Sequence, residues 1–117
     1  MKVSELNKHI PLTLICGNKG LENEISGAYV SDLLSDVMGN ADNGNLWVTL
    51  QIHKNIIGVA SLRDLAAIII VKNIRPDNDT IELSNKENIP IFTTPLSAFE
   101  LSGKLYNLFI KNEIIQG

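Results

Sequence analysis

Leu46-Trp47-Val48-Thr49-Leu50, then Ala66-Ala67-Ile68-Ile69-Ile70-Val71, then Ile89-Pro90-Ile91-Phe92-Thr93 are the runs that decide the fold. Each is short, apolar and rich in β-branched or aromatic residues, the pattern of a buried strand. Between them, Asn55 to Leu65 and Asp77 to Asn88 are long enough for helices. A β-α-β-α-β series implies parallel strands joined by right-handed crossovers. The expected fold is therefore α/β, three-layered, with a mostly parallel central sheet and helices on both faces. In such sheets ligands gather outside the carboxyl ends of the strands.

Working outward from this region, Met1 to Ile10 reads as a short helix started by Ser4 and ended by Pro11. Leu12 to Cys16 and Ile25 to Val30 read as strands, with Gly17-Asn18-Lys19-Gly20 a turn whose glycines permit positive φ. Ser31 or Asp32 can cap a helix running through Met38 and stopped by Gly39-Asn40. Pro76 suits a helix start, with Asp77 and Asp79 placing negative charge near the positive end of the dipole. Pro95 and Ser97 introduce a last helix over Ala98 to Ile110, with Phe99, Leu101, Leu105, Leu108 and Phe109 facing the core or a partner. No repeat, linker or low-complexity segment divides the chain.

At 117 residues the length suits one domain with one core. Apolar residues make up 44% and aromatics 5%, so that core is built from Ile, Leu and Val. Ten basic against thirteen acidic residues, a net charge of -3 and no Lys or Arg run provide no footprint for nucleic acid. The longest apolar run, Leu65 to Val71, is far below the roughly 20 residues that cross a bilayer. A lone cysteine, Cys16, makes neither a disulfide framework nor a cysteine zinc site, and a reducing cytoplasm is the expected location.

Catalytic motifs are absent. Gly17 to Gly20 is followed by Leu21-Glu22 and lacks the Lys-Ser/Thr of a P-loop. Thr49, Gln51, Asn73, Thr93 and Thr94 stand at or just past strand ends, where hydroxyls and amides can line one crevice for a neutral or anionic molecule. His53 lies in the adjoining strand-to-helix connection, from which an imidazole can reach a ligand or act as a base. Ser31 and Asp32 complete the candidate ligand-binding set, although capping is the simpler role of both. Turn and cap duties likewise compete for Thr49, Asn73, Thr93 and Thr94. His9 and His53 are too distant in sequence for a metal signal, so no metal and no cofactor are expected.

From Gly27 to Phe109 the chain resembles DRTGG domains, the α/β modules found beside CBS pairs in regulated inorganic pyrophosphatases and in the non-catalytic part of some phosphate acetyltransferases. Related small proteins are often labelled relatives of HPr kinase. The resemblance is carried by Ser31-Asp32-Leu33-Leu34-Ser35-Asp36-Val37-Met38, by the strand–helix–strand unit from Leu46 to Val71, and by Arg75-Pro76 through Ile89-Pro90-Ile91-Phe92-Thr93-Thr94-Pro95. The Asp-Arg-Thr-Gly-Gly signature itself is not present. In the corresponding place, after Leu50, stands Gln51-Ile52-His53-Lys54-Asn55. The resemblance implies one DRTGG-like domain over residues 1–117 that is regulatory or dimer-forming, with no chemistry of its own.

The leading expectation is thus a stand-alone regulatory module that binds a partner protein or a small phosphorylated metabolite or nucleotide and works as a homodimer. An apolar surplus on Ile56, Ile57, Val59, Phe99, Leu105 and Phe109 points the same way. The alternatives are a small enzyme or phosphoacceptor using His53 with the strand-end hydroxyls, and a purely structural subunit.

Overall fold

A computed structural model describes residues 1–117. After a 3-10 segment at Val3–Lys8, strand β1 covers Thr13–Cys16 and β2 covers Gly27–Val30. The chain then alternates through α1 (Leu34–Asn40), β3 (Asn45–Thr49), α2 (Asn55–Leu62), β4 (Ala67–Ile70), α3 (Asn78–Glu87), β5 (Ile91–Thr93) and α4 (Ala98–Lys111). The five strands form one sheet in the order β1-β5-β4-β3-β2. β2 to β5 are parallel, and β1 pairs antiparallel with β5. This is the expected α/β fold with helices on both faces.

Because β2, β3, β4 and β5 lie side by side in sequence order, three right-handed crossovers put α1, α2 and α3 on the same face. There Val37, Ile56, Ile57 and Ala60 pack on Trp47, Ile68 and Ile91. The chain leaving β5 turns the other way, and α4 covers the opposite face with Leu101, Leu105 and Phe109 against Val48, Ile69 and Phe92. Register and pleat agree: Tyr29, Trp47, Ile68 and Ile91 form one cross-strand row, while Val30, Val48, Ile69 and Phe92 form the next, on the other face. Val3 and Leu6 close the α4 layer. No helix is long and apolar enough to cross a membrane.

Local details depart from the sequence expectations. α1 begins at Leu34 and runs through Gly39 to Asn40, because Ser31 still bonds to the sheet through its N–H and the carbonyl of Val48. The Ser31 hydroxyl accepts from the Leu33 N–H instead of capping the helix. The N-terminal segment is a 3-10 helix capped from Lys2, whose N–H donates to Glu5; Ser4 does not start it. At the chain's other end Ser97 accepts from the Glu100 N–H while Glu100 accepts from Ser97, a capping box. Ile56, Ile57, Val59, Leu105 and Phe109 are buried within the chain, so of the apolar surplus only Phe99 stays free.

Candidate site at the carboxyl ends of the strands

The polar residues past β2 and β3 meet. Leaving β2, the chain passes Ser31, whose carbonyl accepts from the buried Trp47 Nε1 at 2.8 Å. Asp32 then turns over the end of β3. Its Oδ1 accepts from the Thr49 hydroxyl at 2.8 Å and from the Leu50 N–H at 2.7 Å. Gln51 donates from Nε2 to the Asp32 carbonyl at 2.7 Å, and its own N–H donates to Thr49 Oγ1 at 3.1 Å. Asp32, Thr49 and Gln51 therefore clamp the two strand ends and satisfy one another.

Two residues beyond Gln51, His53 reaches Asp77, the residue that precedes the first turn of α3. Nδ1 and Oδ2 are 2.7 Å apart, and the two side chains are 66% and 42% exposed. The backbone holds both ends in place, since the Asp77 N–H and the Thr80 hydroxyl donate to the Ile52 carbonyl. In the neutral tautomer that donates Nδ1–H to Asp77, the lone pair sits on Nε2. That nitrogen can accept a proton or a hydrogen bond from a ligand. Exposed Lys54, Lys72 and Arg75 belong to the same two loops, after β3 and after β4.

Asp77 was legible only as a first-turn charge, 24 residues away from His53. The parallel pairing of β3 with β4 was the one signal for the contact, because it sets the loop after β3 beside the start of the helix that follows β4.

Asn73, Thr93 and Thr94 lie elsewhere on this edge. β4 exits to α3 and β5 exits to α4 on the opposite face, the divergence that opens a crevice in doubly wound sheets. Here the two exits are laced together. Lys72 and Asn73, both at positive φ, donate their N–H groups to the carbonyls of Leu96 at 3.0 Å and Thr94 at 2.7 Å. The fully buried Thr94 hydroxyl donates to the Pro11 carbonyl at 2.8 Å and accepts from the Leu96 N–H. Thr49 and Thr93 share one cross-strand row with Ile70 between them, two strand spacings or about 10 Å apart. The eight candidates thus form a clamp (Asp32, Thr49, Gln51, with Ser31 beside it), an exposed imidazole (His53) and a laced loop pair (Asn73, Thr94, with Thr93 beneath).

Other titratable groups serve the fold. The Ser84 hydroxyl donates to the buried Cys16 sulfur at 3.0 Å, and burial pushes the thiol up from its ordinary range, which keeps it unreactive. Asp36 accepts from the Tyr29 hydroxyl at 2.8 Å. That bond holds the Asp36 carboxyl below its usual range and raises the phenol. No group of three or more His, Cys, Asp or Glu side chains is arranged to hold a metal ion.

No family model matches the chain, and no curated protein matches it. Among solved structures, the fold is similar to that of the CBS and DRTGG domains of the regulatory region of Clostridium perfringens pyrophosphatase, crystallised with its activator diadenosine tetraphosphate. The TM-score is 0.56 at 16% sequence identity, over 80% of this chain and 40% of that one. The chain spans less than half the length of that structure, and identity this low speaks for a shared, DRTGG-like fold alone.

Proposed function

We propose that residues 1–117 form one regulatory module, a homodimer without catalysis of its own, that senses a small phosphorylated ligand of the nucleotide class. The observation that carries this reading is the His53–Asp77 pair at 2.7 Å, with its imidazole two-thirds exposed beside the start of α2. The His53 imidazole, with Lys54 next to it and Lys72 and Arg75 in the neighbouring loop, suits an anion on a chain whose net charge as a whole is -3. Supporting it from outside is the fold similarity to a regulatory region bound to a dinucleotide activator. The clamp residues act beneath the ligand: Asp32, Thr49 and Gln51 hold the strand ends against which it rests.

Thermal unfolding against adenine and guanine nucleotides, dinucleotides and phosphorylated metabolites tests the reading. A ligand at a hundred times its dissociation constant adds about 2.7 kcal/mol to the folded state. The expected result is a rise in Tm for one ligand class that His53→Ala abolishes while leaving the unliganded Tm in place. No rise across the panel would overturn the ligand reading. The same pair favours a second reading, His53 as phosphoacceptor: Nε2 attacks acetyl phosphate at phosphorus, acetate leaves, and Asp77 keeps the Nδ1 proton. It requires an acid-labile phosphate that His53→Ala lacks.

A further inference from the structure

β2 is an edge strand, paired with β3 on one side and with no strand on the other. Just past it, the Ser31 N–H donates to the Val48 carbonyl, so Tyr29, two residues back, also turns its backbone groups to β3. Ala28 and Val30 turn their N–H and C=O groups to the open side. Both residues are exposed, Val30 by 49%. Open edges are commonly guarded by a lysine, a proline or a bulge. The other edge strand, β1, has a register irregularity between Leu14 and Cys16. Gly27-Ala28-Tyr29-Val30 has none of the three guards and keeps an unbroken register with β3.

The two faces beside this edge differ in chemistry. On the α4 side, Ala28 and Val30 line a groove together with Leu105, Tyr106, Phe109 and Ile115. It holds about 240 Å³. That is below the roughly 300–1,000 Å³ typical of small-molecule sites and suits an inserted apolar side chain. On the α1 side, the Tyr29 hydroxyl donates to Asp36 Oδ1 at 2.8 Å, and Asp36 forms no ion pair within the chain.

We propose that an extended segment of a partner protein, alternating apolar and basic residues, adds to the sheet as a further strand at the open edge of β2. Unmet backbone groups in strand geometry call for another backbone, about 4.8 Å away. The pleat then sorts the segment's side chains. Those opposite Ala28 and Val30 point to the α4 side and fill the groove. Those opposite Tyr29 point to the α1 side, where a lysine or arginine lies along the ring towards the Asp36 carboxylate. Charge complementarity therefore selects a basic segment over an acidic one. This surface is separate from the His53–Asp77 pair, and the inference does not rest on nucleotide sensing.

A capped Lys-Val-Lys-Leu-Lys-Val-Lys peptide, titrated into the 15N-labelled full chain, tests it. The control is a Lys-Lys-Val-Leu-Val-Lys-Lys peptide of the same composition and charge. We expect the alternating peptide to bind at least tenfold tighter than the control, and to slow exchange of the Ala28 and Val30 amides with water. Val30→Pro removes an outward N–H that β3 does not use, and Ala28→Lys guards the edge with a charge at an exposed position. Each should weaken binding about tenfold or more while far-UV circular dichroism stays unchanged. Asp36→Asn should weaken the lysine peptide several-fold and leave its threonine-for-lysine counterpart unaffected. Equal affinity for the two lysine peptides, or no binding of either, would overturn the inference. So would Ala28 and Val30 amides already protected in the free chain in a concentration-dependent way, because a second copy would then occupy the edge.

Discussion

Replacing Asp32 by Ala tests whether the clamp at the ends of β2 and β3 is structural. The carboxylate Oδ1 holds two short bonds, 2.8 Å from the Thr49 hydroxyl and 2.7 Å from the Leu50 N–H. Hydrogen bonds to a charged group contribute about 1.5–3 kcal/mol each, less where water can substitute. Leu50 is 38% exposed, so water replaces much of the second bond; Thr49 is 2% exposed, and its hydroxyl loses its acceptor inside the protein. The expected cost is about 2–3 kcal/mol, and at about 4 °C per kcal/mol for a chain of this size, Tm falls by about 8–12 °C. Asp32→Asn keeps the acceptor oxygen and loses the charge, so it should cost about 1 kcal/mol. Thr49→Val combined with Asp32→Ala should cost clearly less than the two single changes added together, because they remove the same bond. Trp47, the one tryptophan, is buried and bonded to the neighbouring Ser31 carbonyl, so its fluorescence during urea unfolding reads these energies directly. A Tm within about 2 °C of wild type for Asp32→Ala would refute the reasoning. The carboxylate would then be idle in the fold and available to a ligand.

Gly17 has φ of 74°, and a Cβ there would sit 2.0 Å from the Ile89 carbonyl oxygen. Gly17→Ala therefore adds a backbone overlap to the left-handed penalty of about 1–2 kcal/mol, and a Tm loss above about 10 °C is expected by calorimetry. The Tyr29–Asp36 bond sets a pH dependence with two limbs. Asp36 is lowered in the folded state, so its contribution is present above the unfolded carboxyl value near pH 4 and is lost as pH falls through the lower folded value. Tyr29 is raised, so its contribution is present below about pH 10 and is lost as pH rises through the higher folded value. The urea midpoints of wild type and Tyr29→Phe should therefore lie furthest apart near neutral pH and converge towards both extremes; a constant gap would count against the bond.

Local pattern determined the fold class of this protein. The runs at Leu46, Ala66 and Ile89 are too apolar and too short to be anything but buried strands once helix-length segments separate them, and parallel crossovers follow from that alternation alone. Ser97 was legible for the same reason, since capping depends on residues three apart. Tertiary structure decided what those elements bring together. β1 lies antiparallel against β5, which lets Thr94 reach the Pro11 carbonyl across 83 positions and helps to close the exit of β5. Asp32 finds Thr49 across 17 positions, and His53 finds Asp77 across 24. Ser31 and Asp32 were read as caps because nothing in their neighbourhood announces that the sheet still holds them. Periodicity records which side of an element is buried, whereas strand order and loop path determine which loop ends meet, and the candidate site is made of loop ends.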